Sequence, residues 1–322
     1  MWRGRSALFS IGLLLGAAPN PEPFPLDRFV EAEPGMDRRI AVDGTWIDIA
    51  ETSCGAQRLG HPACFGDADG DTRYLVAMVR SRDGAPPLRI TSDPGLGFRY
   101  AVGRLSPHDP HPSLVILTDA GGSGGCVSIQ IAYAEPKGFA AARLNHGAAG
   151  SGNATFCRVD PVSRVPFPTD RSGHGTADFV LADDRFDCGF GSCASTWAPP
   201  RVFAFDHGNS RDVSADPNLK SLFADDAVKA RAACENTRNP EPKGACIAYV
   251  ADASRIGAGA EAMAVLRRRI GGAPVTRCTQ FEHTEPARCL AETRYRDFAD
   301  EAEAVLDRLG YPILSAVHRS TS

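Results

Sequence analysis

The sequence predicts a mainly β fold of antiparallel strands, followed by a disulfide-tied α-helical subdomain. Three observations carry that prediction. Between about residue 36 and residue 215, short apolar runs alternate with clusters of Gly, Pro, Asp and Asn, the punctuation of β-hairpins. From about 216 the apolar residues recur at the spacing of an amphipathic helix. Ten cysteines lie in the 322 residues, six before that change and four after it, so each part can close its own bridges.

Residues 1–18 (MWRGRSALFSIGLLLGAA) read as an export signal. Arg3 and Arg5 form a basic start, Ala7 to Leu15 an apolar run, and Gly16-Ala17-Ala18 a small-residue cleavage region. The run is short for a membrane anchor, which needs about 20 apolar residues. The first cysteine is Cys54, far from the expected cut, which argues against a lipid-anchored form. Residues 19–35 are Pro-rich and read as an extended leader. Export to a periplasmic or extracellular space makes disulfides the natural state of the cysteines. They fall in near-neighbour pairs, Cys54/Cys64, Cys126/Cys157, Cys188/Cys193, Cys234/Cys246 and Cys278/Cys289, and sequential pairing is the expectation.

Within 36–215 the strands group into a weak repeat of polar loop, strand, turn, strand, turn, strand. The first unit runs from the acidic loop Asp67–Asp71 through Tyr74–Val79 and Leu88–Thr91 to Phe98–Val102. In the second, His108–Ser113 precedes Leu114–Thr118, Cys126–Ala134 and Phe139–Leu144. The third has Asp170–Asp178, then Phe179–Ala182 and Arg201–Phe205. Residues 216–322 form the helical part. Asp216-Pro217 is a helix start, a capping side chain followed by Pro at the first position. Leu219, Leu222, Phe223, Ala227, Ala230 and Cys234 form one stripe, and Met263, Leu266 and Ile270 a second. A third comprises Tyr295, Phe298, Ala302, Val305 and Leu309, stopped by Gly310 and Pro312.

The segment Asp170–Asp178 (DRSGHGTAD) is the richest in chemistry. Oxygen-bearing Asp170, Ser172 and Asp178 occupy its first, third and ninth positions, and Gly175 at the sixth permits a sharp turn. Alternate residues of a tight loop can converge on one cation, and calcium takes six to eight oxygens. The loop, with the apolar strand FVLA after it, resembles the calcium loop of FG-GAP/VCBS repeats, D-x-D-x-D-G-x-x-D before a strand. His174 departs from that pattern. The loop at 67–71 has three alternating acids but lacks the later Gly and Asp, and 108–113 departs further. The segments Ala182–Phe205 and Gly121–Cys126 are also similar to exported bacterial FG-GAP-like proteins. The resemblance covers about 65–215. It implies an incomplete β-propeller-like architecture, structural calcium held by Asp170, Ser172 and Asp178, and no catalytic residue.

Other constellations carry weaker signals. Gly121–Gly125 contains G-x-S-x-G, also similar to the GDSGG segment of trypsin-like proteases, which would make Ser123 a nucleophile. A nucleophile elbow leads from a strand into a helix, whereas the alternation of Cys126–Ala134 predicts a strand and hence a hairpin turn. His108 and His111, in HDPHP, read as loop histidines. Asp183 and Asp184 beside Arg185 read as a strand-end turn with a local ion pair, or as an acid/base pair. Arg267–Arg269 reads as a solvated helix face. A net charge of −4 excludes a strongly basic nucleic-acid footprint over the whole chain, and no further stretch is long and apolar enough to span a bilayer. The favoured reading is a non-enzymatic binding or scaffolding protein of the cell envelope, with a protein or glycan partner and structural calcium. Two alternatives stand beside it: a secreted hydrolase using Ser123 or acids near Asp170–Asp184, and an inhibitor-like module acting through the helical subdomain.

Overall fold

A computed structural model describes residues 24–53, 72–121, 125–146, 155–157, 165–186, 189–190, 197–282 and 288–313. After the short β1 (Val30–Glu31), a four-stranded antiparallel meander is formed by β2 (Asp37–Val42), β3 (Thr45–Ser53), β4 (Arg73–Ser81) and β5 (Leu88–Thr91). Asp43 and Gly44, both at positive φ, make the two-residue turn between β2 and β3. An Asp-Gly pair suits that turn, because its twist matches the flanking strands.

The central sheet contains β6 (Gly97–Gly103), β7 (Ser113–Gly121), β8 (Cys126–Glu135), β9 (Gly138–Arg143) and β10 (Thr155–Cys157). β1 lies on its edge beside β6. β9 and β10 pair with different halves of β8, and the Cys126–Cys157 bridge ties β10 to the start of β8. A third sheet holds β11 (Ala177–Ala182), β12 (Pro200–Asp206) and β13 (Asn209–Asp212).

These sheets stack face to face. Leu114 and Ile116 of β7 pack with Ile47, Ile49 and Leu75 of the first sheet. Their neighbours Val115 and Leu117 point the other way and pack with Phe179, Leu181, Phe203 and Phe205 of the third. The central sheet is buried on both faces, which explains why LVIL is a continuous apolar run rather than an alternating one. The far face of the third sheet, Val202 and Ala204, is covered by Leu219 and Phe223 from the start of the helical region.

That region contains α1 (Lys220–Glu235), α2 (Pro242–Arg255), α3 (Gly259–Ile270), the hairpin β14 (Val275–Glu282) and β15 (Arg288–Tyr295), and α4 (Phe298–Arg308). Asp216 caps a 3-10 turn leading into α1, its side chain accepting from Asn218 N at 2.8 Å. Gly310, at φ +81°, stops the chain after α4 as expected. The bridges Cys126–Cys157, Cys234–Cys246 and Cys278–Cys289 follow the sequential pairing. Cys54, Cys64, Cys188 and Cys193 lie outside the described residues.

Three details differ from the sequence expectation, and one helix lies outside it. The predicted first unit straddles two sheets, because Tyr74–Val79 and Leu88–Thr91 complete the first while Phe98–Val102 opens the second. The C-terminal part is not wholly helical. Tyr295 belongs to β15, and α4 begins at Phe298, capped by the Asp297 side chain accepting from Asp300 N. α2 carries no one-sided stripe, since every residue from Gly244 to Ser254 is buried. Arg269 is no part of a solvated face: it donates to the carbonyls of Cys234 and Asn236 at the end of α1, at 3.0 and 3.1 Å.

The Cys234–Cys246 bridge closes a short loop inside the fully buried core between α1 and α2. Replacing both cysteines by Ala is expected to lower stability by about 2–3 kcal/mol, read as a lower urea midpoint under non-reducing conditions.

Candidate functional site

The densest polar cluster lies where the stacked sheets meet the helices. β11 ends at Ala182, and Asp183 turns the chain, its N–H donating to Pro199 O at 2.8 Å. The following 3-10 turn, Asp184–Phe186, sends Phe186 into the helical core. The Asp183 side chain is 0% exposed. Its carboxylate accepts from Arg185 Nε at 2.7 Å, from Arg185 Nη2 at 2.5 Å and from Tyr311 Oη at 2.8 Å. Arg185 Nη1 reaches Leu309 O at 3.1 Å, so one guanidinium joins the third sheet to the end of α4. The Asp183–Arg185 ion pair is the local pair expected from sequence. Burial raises the Tyr311 phenol well above its ordinary pKa. Arg255 opposes that shift, and the Asp183 charge and hydrogen bond reinforce it, so the phenol remains a donor.

Arg255, the last residue of α2, completes the cluster. Its guanidinium carbon lies 4.5 Å from the ring centres of both Phe223 and Tyr311, and Nη1 donates to Ser214 O at 3.3 Å. Asp212 stands opposite. Burial pushes its carboxyl upward, but hydrogen bonds from Ser214 and Arg201 outweigh that and hold it below the ordinary range. Arg201 Nε is 2.7 Å from Asp212 Oδ2. Between these groups is a cavity of about 370 Å³ bounded by Arg185, Asp212, Ser214, Arg255, Leu309 and Pro312. On the far side of Arg201, Asp184 lies 3.6 Å from His146 Nε2. Burial raises the Asp184 carboxyl; His146 opposes the shift and the neighbouring Asp183 adds to it.

A second acid pair lies one turn earlier on α2. Asp252 is fully buried and neither of its oxygens has a donor, while Asp226 of α1 is its neighbour. Burial first, then the Asp226 charge and a hydrogen bond with it, raise the Asp252 carboxyl well above its ordinary pKa, against a smaller opposing effect of Arg255. Burial thus shifts the balance of Asp252 toward its neutral form.

The sequence-predicted calcium residues sit at the same junction but in a different setting. Asp170 accepts from the N–H groups of Gly173, His174 and Gly175 at 2.7, 3.0 and 2.9 Å. Asp178 Oδ2 accepts from Arg171 N at 2.8 Å and Ser172 N at 2.6 Å. Asp178 Oδ1 and Ser172 Oγ are buried without a hydrogen-bond partner. His174, which departs from the resembled pattern, instead reaches Asp216 Oδ2 at 2.7 Å, and Asn218 Nδ2 donates to Ser172 O at 2.7 Å. The loop thus docks on the start of the helical region. Among the described residues no three His, Cys, Asp or Glu side chains group as metal ligands. Ser123 and the loop 67–71 lie outside the described residues. On either side of 122–124 the strands β7 and β8 pair antiparallel, with Gly121 opposite Cys126. His111 pairs with Asp83 at 3.3 Å and packs on Phe139.

Sequence reasoning passed over Tyr311, Arg255 and Asp252. Tyr311 sits between Gly310 and Pro312 and registered only as part of a stop signal. Arg255 and Asp252 lie on the helix that has no stripe.

Comparison with known proteins places one part of the chain. Residues 223–310, from α1 to just past α4, match the family described as "sll0997 C-terminal domain". The chain is also similar to the "Probable thylakoid lumen protein sll0997" of Synechocystis sp. (strain ATCC 27184 / PCC 6803 / Kazusa), 24% identical over 209 residues. That alignment covers 63% of this chain and 57% of the relative, so the chain spans a little over half the relative's length. No solved structure matches. Among the described residues no helix is long and apolar enough to cross a membrane.

Two outcomes follow from the junction. Tyr311→Phe removes one donor from a fully buried carboxylate and should cost about 1–3 kcal/mol in urea unfolding. Asp252 binds its proton more tightly folded than unfolded. Its contribution to stability is therefore largest at acid pH and falls as pH rises from the ordinary carboxylate range through the raised folded value. Asp252→Asn should flatten that part of the stability–pH curve, and an unchanged slope would show that Asp252 is ionised in the folded protein.

Proposed function

We propose that this chain is a non-enzymatic binding protein of an exported compartment, periplasmic or extracellular, in which a β stack and a helical region form one body that engages a protein or glycan partner. The observation that carries the reading is the state of the junction. Asp183 is held by four hydrogen bonds, three from Arg185 and one from Tyr311, and is closed to solvent. A carboxylate so occupied ties the sheet to the end of the helices and is not placed to abstract a proton from a substrate. Three disulfides agree with export. So does the relative described as a probable thylakoid lumen protein, since a lumen is reached across a membrane.

The finer reading is an FG-GAP-like, incomplete propeller-like stack with structural calcium. Successive antiparallel meanders packed face to face support the first part. For calcium, Ser172 Oγ and Asp178 Oδ1 are buried oxygens that lack donors, which suits a hard cation. Asp170, Ser172 and Asp178 would hold it, and it would supply a charge cross-link within the loop that docks on Asp216 and Asn218.

The mature chain should capture a partner from envelope extract. It should also melt several degrees lower in chelator than in calcium, as ligand linkage requires, and Asp170→Asn should abolish the difference. Equal melting temperatures in the two conditions would remove the calcium. Labelling by a serine-directed fluorophosphonate, lost in Ser123→Ala, would overturn the non-enzymatic reading.

A further inference from the structure

We infer that the cavity between the third sheet and the end of α4 is a carboxylate-binding site, taking a small singly charged organic acid, with Arg255 as its anchor and Arg185 beside it. The inference rests on the reading of this junction as a place of recognition. It begins with an imbalance of charge. Arg255 is half-buried and makes no ion pair among the described residues. Buried charges are normally paired, because removing a charge from water is costly. The acid nearest to it on its own helix, Asp252, makes no hydrogen bond or ion pair with it, and burial favours the neutral form of that acid.

The geometry favours a planar anion. The contacts with Phe223 and Tyr311 fix the guanidinium by cation–π interaction. One hydrogen bond, to Ser214 O, accounts for one of its five N–H donors. A fork held in this way matches a carboxylate, and Arg–carboxylate pairs are commonly bidentate. Arg185, which also bounds the cavity, uses Nε and Nη2 on Asp183 and Nη1 on Leu309 O, leaving one hydrogen on each terminal nitrogen.

Charge sets the class of ligand. The charged groups bounding the cavity are Arg185, Arg255 and Asp212. Asp212 works against an anion, but Arg201 already neutralises it. Asp183 likewise neutralises Arg185. The remaining uncompensated charge is the single positive one on Arg255, which a monoanion cancels and a phosphate dianion exceeds. Leu309 and Pro312 supply an apolar wall for the organic part. The volume of about 370 Å³ falls within the range of small-molecule sites.

The test uses the full mature chain, with butyrate, butyramide, inorganic phosphate, and a short peptide with free or amidated C-terminus as probes. Each is titrated into the millimolar range at matched ionic strength, followed by calorimetry and by amide NMR shifts. Butyrate should bind and shift the amides of Ser214, Ala215 and Gly310, while butyramide should do neither. Arg255→Met, which keeps an apolar stem against both rings, should weaken butyrate at least tenfold. If that variant fails to fold, Arg255→Lys retains the charge without the fork and should also weaken butyrate. Stronger binding of the free-ended peptide than of butyrate, with none of the amidated peptide, would support the carboxylate chemistry and name a chain end as its source. Equal binding of butyramide, tighter binding of phosphate, or no shift at those three amides in the wild type would overturn the site. Capture of an envelope partner without any carboxylate binding would sink this inference alone. Fluorophosphonate labelling of Ser123 with the site intact would sink only the non-enzymatic reading.

Discussion

The Asp183 carboxylate is the point on which the two halves of the molecule turn. It is closed to water and receives three hydrogen bonds from Arg185 and one from Tyr311. A buried carboxylate left without its partners costs about 3–5 kcal/mol, so these partners must be in place whenever the third sheet is. Tyr311 follows α4 directly and Arg185 holds Leu309 O, so satisfying Asp183 also fixes where the last helix ends. The apolar packing agrees with this polar pin. Phe186, three residues beyond the pinned position, enters the helical core, and its ring meets Tyr311 edge-on at 5.8 Å. The sheets and the helices therefore pack on one another across residue 216. Phe223 of α1 belongs to the cluster that covers Val202 and Ala204.

Much of the fold was legible because it depends on local chemistry. Short runs bounded by turn residues marked β4 through β9, and Asp216-Pro217 marked the entry to the helices. Disulfide partners followed from proximity in the chain. Non-local information was not legible. The repeat frame failed because β2 and β3 precede the first unit recognised, although Asp43-Gly44 was a readable hairpin signal between them. Which strands share a sheet is set by pairing between segments, and alternation within one segment does not encode it. The hairpin of β14 and β15 was obscured because Tyr295 falls at helical spacing from Phe298 and Ala302, while Asp297 caps α4 only after that residue.

The candidate site shows the same division more sharply. The ion pair of Asp183 and Arg185 is two residues long and could be read directly. Tyr311 lies 128 positions from Asp183, and nothing in either segment announces the other. Arg255 lies on α2, whose buried residues run all the way round, so a periodicity search finds no face there. A helix buried on all sides is where an ionisable residue is most informative, because no solvated face exists to hold it. That signal was present in the sequence as Asp252 and Arg255 among Ala, Val and Ile, three residues apart.

The spacing of Asp252 and Arg255 also explains why the junction carries an uncompensated charge. Residues at i and i+3 on a helix are neighbours, so an ionised Asp252 would ordinarily pair with Arg255. No such pair forms, since neither Asp252 oxygen has a hydrogen-bond partner. Burial first, and the Asp226 charge after it, raise the Asp252 carboxyl and so disfavour its anion in the low-dielectric core. Arg255 cannot respond by losing its own proton, since a guanidinium stays charged under all ordinary conditions. Its charge is instead met by the faces of Phe223 and Tyr311, which attract a cation without cancelling it. Two aromatic rings, with no acid paired to it among the described residues, thus hold a cation at the edge of a cavity.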